Sequence, residues 1–394
     1  MKILFITNNF PPIVCGVGDH TFHLANEFIR QGHEVSVLCR KDKRIIEAFN
    51  LKNSSIRVLP CIEKWGGASV KIIKNIVDKL QPNWVIIQYT PYSFHHYGLP
   101  FFLLNLAYSF RNKVNLAIFF HEVRIKIFHK NMKRILNALP MIFISKQLSK
   151  LAKLSLTSNE GYQRLLTTNP NNIKSHIIRI GSNIHVEDAI EKKSSKLLKK
   201  SLLEVDDFVI GTFGMGVRGL PVLLSVFKEI SKSEKSITLV LIGNLKADIV
   251  KQIKNFGLQN ELEEKIVLTG YLPSDKVASY ISILDIYLML EPSHSNNIWT
   301  GTSTRSGTLA TAMGLGIPVI GTRGELTDGF FVHKKNIYLL DYLNEENLKL
   351  SILYLLEDST MRKILSVEGS KSYQKELTWE ISVKKITELF LINK

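Results

Sequence analysis

The sequence predicts an α/β protein of two doubly wound, parallel-sheet domains, and three observations predict it. Short apolar runs alternate with amphipathic helical patterns along the chain, as in repeated βαβ units. The runs are apolar almost throughout, as strands buried on both faces are. The rhythm breaks once, in the charged, Ser-containing segment 185–205, and then restarts, so the 394 residues divide into halves of similar size.

The elements follow in order. "KILFIT" (2–7) is a strand ending in polar "NNFPP", and a helix follows with Leu24/Phe28 and Ala25/Ile29 on one face and Gly32 as its stop. Next come "EVSVLC" (34–39), "SIRVLP", a helix near 68–80, "WVIIQY" (84–89), a helix near 99–111 and "NLAIFFHE" (115–122). "MIFIS", "LSLTS" and "IIRIG" (177–181) read as further strands. After the break come "DFVIGTFG" (207–214), a helix over 219–232, "ITLVLIG" (237–243), a helix over 246–256 and "KIVLTGYL" (265–272). A helix over 274–283, "IYLMLEP" (286–292), a helix from about 306, "PVIGT" (318–322), "IYLLD" (337–341) and three helical segments complete the chain. Ligands of such sheets bind beyond the carboxyl ends of the strands, so the residues after each strand carry the functional information.

An apolar fraction of 45% and a charged fraction of 22% fit a globular protein with real cores. A net charge of +16 attracts polyanions: nucleic acid, anionic lipid or phosphorylated ligands. Cys15, Cys39 and Cys61 are scattered and odd in number, which excludes a disulfide framework and points to a reducing compartment. The N-terminal apolar run is too short for a signal peptide, and "GLPFFLLNLAYSF" falls short of a membrane span. A cytoplasmic protein is expected, able to sit on a membrane surface.

Four motifs follow strands. "PPIVCGVGDHT" (11–21) opens the first helix; Gly16 and Gly18 either let backbone N–H groups approach an anion or form a plain strand–helix turn. "FFHEV" (119–123) puts His121 at a strand end, where it is the candidate catalytic residue, contacting a ligand hydroxyl or phosphate or moving a proton, or else serves the structure. "FGMGVRGLPVLL" (213–224) places Arg218 where a helix begins, as a phosphate contact or as a solvated cation. "TGTSTRSGTLATAM" (300–313) offers Ser303, Thr304, Ser306 and Thr308 hydroxyls, the close backbone approach of Gly307 and the Arg305 guanidinium. From Pro292 to Gly324 there is no Asp or Glu, as suits a diphosphate site; a capped Ser/Thr-rich loop is the plainer alternative. The run 124–154 holds eight Lys or Arg and no acid, interleaved with Ile, Phe, Leu and Met. It reads either as a face for anionic membrane or as a solvated basic face. No aromatic stacking platform accompanies the charge, which argues against nucleic acid.

Taken in order, "CGVGDHT", "FHE", "IGSNI" (180–184), "FGMGVRG", "LVLIGN" (239–244), "LTGYLPSDKVASYISILDIYLML" (268–290), "GTSTRSGTLATAMGLGIPVIGT" and "LTWEISVKKITELF" (377–390) make the sequence resemble GT-B glycosyltransferases close to family 4. The resemblance implies an acceptor-side domain over 1–185, a donor-side domain over 186–376 and a helix over 377–394 that crosses back to the first domain. It implies transfer of a sugar from a UDP- or GDP-sugar to an acceptor hydroxyl, with retention, no cofactor and no tightly bound metal. The expected acceptor is a glycan or lipid-linked precursor of a surface polysaccharide. Arg218 falls on the residue that contacts the diphosphate, His121 on one near the donor sugar, and Gly16 and Gly18 on the phosphate-side loop. Tyr271 and Leu272 fall where the family loop passes the nucleobase.

Two departures stand out. Ser303 and Thr311 occupy the places of the usual glutamate pair, and "TFGMGV" lacks the usual arginine before the basic–glycine pair. The neutral pair extends the donor-binding set to Ser303, Thr304, Arg305, Ser306, Gly307, Thr308 and Thr311. A nucleotide-sugar epimerase of the same fold and a catalytically silent binding subunit are the alternatives.

Overall fold

The computed structural model describes residues 1–50, 55–126, 132–166, 175–184, 186, 207–214, 216–232, 236–292 and 299–393, without the side chains of residues 50 and 132–135. The chain divides into two compact units. The first comprises Met1–Ile180 and Trp379–Lys394, the second Gly181–Ser295 and Trp299–Thr378.

The first unit runs β1 (Lys2–Ile6), α1 (Gly16–Arg30), β2 (Glu34–Arg40), α2 (Lys43–Asn50), β3 (Arg57–Ile62), α3 (Gly67–Leu80) and β4 (Trp84–Tyr89). It continues with α4 (Pro91–Phe94), α5 (Phe102–Phe110), β5 (Asn115–Phe120), α6 (Met132–Leu151), β6 (Leu154–Thr157), α7 (Glu160–Leu166) and β7 (Ser175–Ile177). The sheet order is β3-β2-β1-β4-β5-β6-β7, and every pairing is parallel. Strand β4, "WVIIQY", is buried at every residue, as a central strand covered on both faces must be. Helix α1 buries Leu24, Ala25 and Phe28 against this sheet.

The second unit runs β8 (Phe208–Phe213), α8 (Leu220–Ile230), β9 (Ile237–Ile242), α9 (Ala247–Asn260), β10 (Ile266–Leu268), α10 (Ser274–Ser282) and β11 (Ile286–Met289). Then come α11 (Gly307–Gly314), β12 (Val319–Thr322), β13 (Tyr338–Leu340), α12 (Glu345–Glu357) and α13 (Ser359–Glu376). Its order is β10-β9-β8-β11-β12-β13, again parallel. The last helix, α14 (Trp379–Ile392), belongs to the first unit. There Phe390 stacks on Trp84 with ring centroids 4.0 Å apart and planes 9° from parallel. Ser382 Oγ donates to the Arg179 carbonyl at 2.9 Å.

One expected strand is a helix. "MIFIS" lies inside α6, where Ala138, Met141, Ile144 and Leu148 are buried at helical spacing. A five-residue apolar run fits a strand or a buried helical turn equally well, and here the longer period decides. "IIRIG" is strand only at its first residue, the last of β7.

Each sheet reverses its winding between its first and fourth strands: β1 and β4 in the first unit, β8 and β11 in the second. At such a reversal neighbouring loops leave in opposite directions and open a crevice beyond the strand ends.

Candidate functional site: a cationic cavity and a histidine pair

The second unit has a cavity of about 340 Å³ at its reversal point. Thr212, Phe213 and Gly214 line it from the end of β8, and Leu288 to Glu291 line it from the end of β11. Gly216, Val217 and Arg218 add a wall from the loop into α8; Arg305, Ser306 and Thr308 add one from the start of α11. The backbone makes room by specific means. Gly219, the N-cap of α8, has φ +71°, and a Cβ there would meet the Leu343 side chain at 2.6 Å. Gly243, after β9, has φ +114°, and its Cβ would meet the Gly214 carbonyl oxygen at 2.8 Å. Both positions therefore need glycine.

The electrostatics favour an anion, with one opposing charge. Arg218 and Arg305 share the cavity wall. Ser306 caps α11 by accepting from the Leu309 N–H at 3.3 Å, and its hydroxyl lies 3.0 Å from that of Thr308. The leading N–H groups of a helix have no intrahelical acceptor, so this rim adds partial positive charge. The acid-free stretch is not the whole lining, however. Glu291, one residue before it, is buried in the cavity wall. Arg218 Nη1 donates to its two carboxylate oxygens at 2.7 and 2.5 Å. Glu325, one residue after the stretch, accepts from the N–H and hydroxyl of Thr300, both at 3.2 Å.

Of the donor-binding residues expected from sequence, the cavity brings together Arg218, Arg305, Ser306 and Thr308. The others are placed elsewhere. Thr311 is fully buried, and its hydroxyl donates to the Gly307 carbonyl at 2.9 Å and lies 2.7 Å from Ser182 Oγ. Ser303 and Thr304 are buried and do not line the cavity. Gly307 packs against Asn183, whose side chain a Cβ would meet at 3.0 Å. The "IGSNI" motif thus braces the start of α11 through Ser182 and Asn183. Tyr271 is 78% exposed, and Leu272 packs on the core of the second sheet. Gly18 is required by its own loop, because a Cβ would meet the Asn9 carbonyl oxygen at 3.0 Å; beside Gly16 there is open space.

In the first unit His121 follows β5 and is half-buried. Its Nε2 lies 2.6 Å from Gln88 Oε1, its ring stacks on Phe119 at 4.7 Å, and His20 meets it edge-on at 4.5 Å. Trp379 of α14 packs against His20 and stacks on His23. Burial pushes the His121 imidazolium down to about 3. His20 is lowered well below the usual histidine value, by burial first and then by the neighbouring His121 and His23, with the nearby Gln88 amide opposing. Both rings are neutral at physiological pH, so His121 can orient a ligand but has no proton to spare as an imidazolium.

Sequence reasoning missed Glu291, Gln88 and His20. Glu291 had a signal, since it lies two residues beyond the end of β11. Gln88 is the penultimate residue of β4 and His20 lies within α1, where nothing but the fold distinguishes them.

The match to known families falls on the cavity-bearing half. Residues 194–372 match the model of glycosyl transferases group 1. That segment is similar to group 1 glycosyl transferases. Similarity to curated relatives is also partial. The uncharacterized glycosyltransferase MJ1178 of Methanocaldococcus jannaschii is 30% identical over 201 residues, 49% of this chain and 50% of that one. MJ1069 of the same organism is 26% identical over 174 residues, 44% of this chain and 42% of that one. The chain thus spans half or less of the length of the curated relatives it matches. The GT-B fold itself is matched end to end. HepE of Anabaena, solved in complex with UDP-glucose, superposes with a TM-score of 0.72 at 15% identity over 100% of both chains.

Proposed function

We propose that this protein is a group 1 glycosyltransferase that transfers a sugar from a nucleotide-sugar donor to an acceptor hydroxyl, and that the cavity between β8 and β11 holds the donor diphosphate. The observation that carries this reading is the meeting of Arg218, Arg305 and the α11 start at the reversal point of the second sheet. The diphosphate is the leaving group of such a transfer, and its charge grows as the glycosidic bond breaks. Preorganised cations and N–H dipoles stabilise that growing charge. Arg218 supplies Nε and Nη2, which make no bond to the described residues, while Glu291 holds Nη1. Arg305 approaches from the other wall, with Nη2 3.4 Å from the Trp299 carbonyl oxygen. These groups do the work a bound metal would otherwise do, and the reaction proceeds without one and with retention. The UDP-glucose complex of the structural relative supports a nucleotide sugar as donor.

The acceptor in this reading is a lipid-linked or surface-polysaccharide precursor met at an anionic membrane. Along one face of α6 stand the exposed Leu136, Leu139 and Phe143, then the half-buried Lys146 and the exposed Lys150. Large apolar groups continuing into cations is the pattern of a helix lying in a membrane interface. Residues 127–131 of the basic run lie outside the described residues, as do the side chains of residues 132–135. No helix among the described residues is long and apolar enough to cross a membrane.

Thermal unfolding with a panel of nucleotide sugars tests the donor assignment, because a ligand that binds only the native state raises its apparent stability. A UDP- or GDP-sugar is expected to raise the melting temperature of the wild type and to lose that effect in Arg305→Ala. A panel without any stabilising nucleotide sugar would remove the donor assignment.

A further inference from the structure

We propose that Gln88 is a positioning residue that fixes His121 as its Nε2–H tautomer, leaving Nδ1 as the hydrogen-bond acceptor offered to a sugar hydroxyl. The hydroxyl part rests on the transfer reading above; the tautomer does not.

Gln88 Oε1 lies 2.6 Å from His121 Nε2. A carbonyl oxygen has only lone pairs to offer, so Nε2 must carry the hydrogen. A neutral imidazole has one N–H, and Nδ1 is then bare. No described residue bonds to Nδ1. Gln88 is fully buried in β4, so its amide cannot swing away.

The surroundings hold the ring neutral. β4 contributes the uncharged amide, and β5 the Phe119 ring beneath. α1 contributes His20 and, beyond it, His23, while α14 contributes Trp379 against both. Glu122, next in the chain, is exposed. Gln88 Nε2 and His20 Nδ1 are buried with no partner among the described residues. An unpaired buried N–H is costly; the fold bears that cost and still turns the amide oxygen to His121.

A neutral ring with a bare Nδ1 accepts from a hydroxyl and holds that hydroxyl in place. It cannot hand a proton to the departing diphosphate. His121 then acts by orientation, and Gln88 acts through it.

The test uses the full-length protein with ¹⁵N-labelled histidine rings and long-range ¹H–¹⁵N spectra between about pH 5 and 8. His121→Asn serves only to assign the signals. The wild type is expected to show a protonated Nε2, a bare Nδ1 and no titration over that range. Gln88→Glu puts a carboxylate against Nε2, and His121 should then titrate about 1–3 pH units higher. Gln88→Leu should let the two tautomers mix and lower kcat by up to about 10²-fold, with the donor KM nearly unchanged. A wild-type Nδ1–H form, or an unchanged tautomer in Gln88→Leu, would overturn the proposal. The wild-type spectrum decides the tautomer even where a variant fails to fold. A correct tautomer in a protein that binds no nucleotide sugar would overturn the transfer reading and leave Gln88's role on His121 standing.

Discussion

Arg218 and Glu291 form a one-nitrogen ion pair in the cavity wall: Nη1 reaches both carboxylate oxygens, at 2.7 and 2.5 Å. The carboxylate is buried, while the arginine side chain is 48% exposed. The guanidinium is therefore held on one side and open on the other, ready for a second anion. Glu291 costs the cavity one positive charge and in return sets where the remaining one points.

Removing Arg218 should therefore do two things. Arg218→Ala should weaken donor binding or turnover by about 2–5 kcal/mol, the range for truncating one partner of a hydrogen-bonded charge pair. It should also lower stability by about 1–3 kcal/mol, because Glu291 is left buried and unpaired. Adding Glu291→Gln to that variant should recover most of the stability and none of the activity. Urea unfolding and donor kinetics on the three proteins check both parts. Equal stability of wild type and Arg218→Ala would show that the pair carries no weight in the fold.

Restoring the family's glutamates should not help. Thr311 is sealed between Ser182 and the Gly307 carbonyl, so Thr311→Glu buries a carboxylate with no partner. Such a charge costs several kcal/mol. Thermal unfolding should show a large loss for Thr311→Glu, a similar one for the buried Ser303→Glu, and no gain in turnover for either. Higher turnover in Thr311→Glu would mean that α11 presents this position to the ligand.

Acid should destabilise the first unit through its histidines. His121 titrates near the ordinary 6.5 in the unfolded chain and near 3 in the folded one, and His20 is depressed in the same direction. Between those values the unfolded chain binds protons that the native state refuses. Stability is thus fully present above about pH 6.5 and falls as pH drops toward 3. Unfolding free energy measured from pH 7.5 to 5, above the carboxylate range, should decline in the wild type and stay flatter in His20→Phe. Identical slopes would place the proton-linked loss elsewhere.

The exposed face of α6 predicts peripheral membrane binding. Each Lys or Arg near an anionic bilayer contributes about 1 kcal/mol, and salt screens it. The protein should co-sediment with anionic but not neutral vesicles and be released by high salt. Leu139→Gln with Phe143→Gln should weaken binding and leave nucleotide-sugar binding intact. A wild type that ignores anionic vesicles at low salt makes this a solvated face and favours a water-soluble acceptor.

Much of this is legible in the sequence, for physical reasons that differ by element. The strands were legible because a parallel sheet covered on both faces demands unbroken apolar runs, as in β4 and β9. Arg218, Arg305 and Ser306 were legible because strand ends and helix starts are where ligand chemistry concentrates. The helical fate of "MIFIS" was hidden because five apolar residues satisfy either period. Glu291 was missed because attention fell on the acid-free stretch and not on the residue just before it, beyond the end of β11. Thr311 read as a ligand group because its family position is one. The structure turns its hydroxyl into the brace that holds α11 against "IGSNI". Gln88 and His20 were hidden because a buried amide and a helix histidine gain meaning only beside His121.

The most direct test of the central claim is transfer itself. Purified protein would be incubated with radiolabelled UDP- and GDP-sugars and a membrane-lipid extract, and label followed into the lipid or glycan fraction, with Arg218→Ala and Arg305→Ala in parallel. Label from at least one nucleotide sugar should move into that fraction with stoichiometric release of nucleoside diphosphate, and each variant should lose most of the rate. Interconversion of the sugar with no acceptor, or no nucleotide release from any donor by the folded wild type, would contradict it.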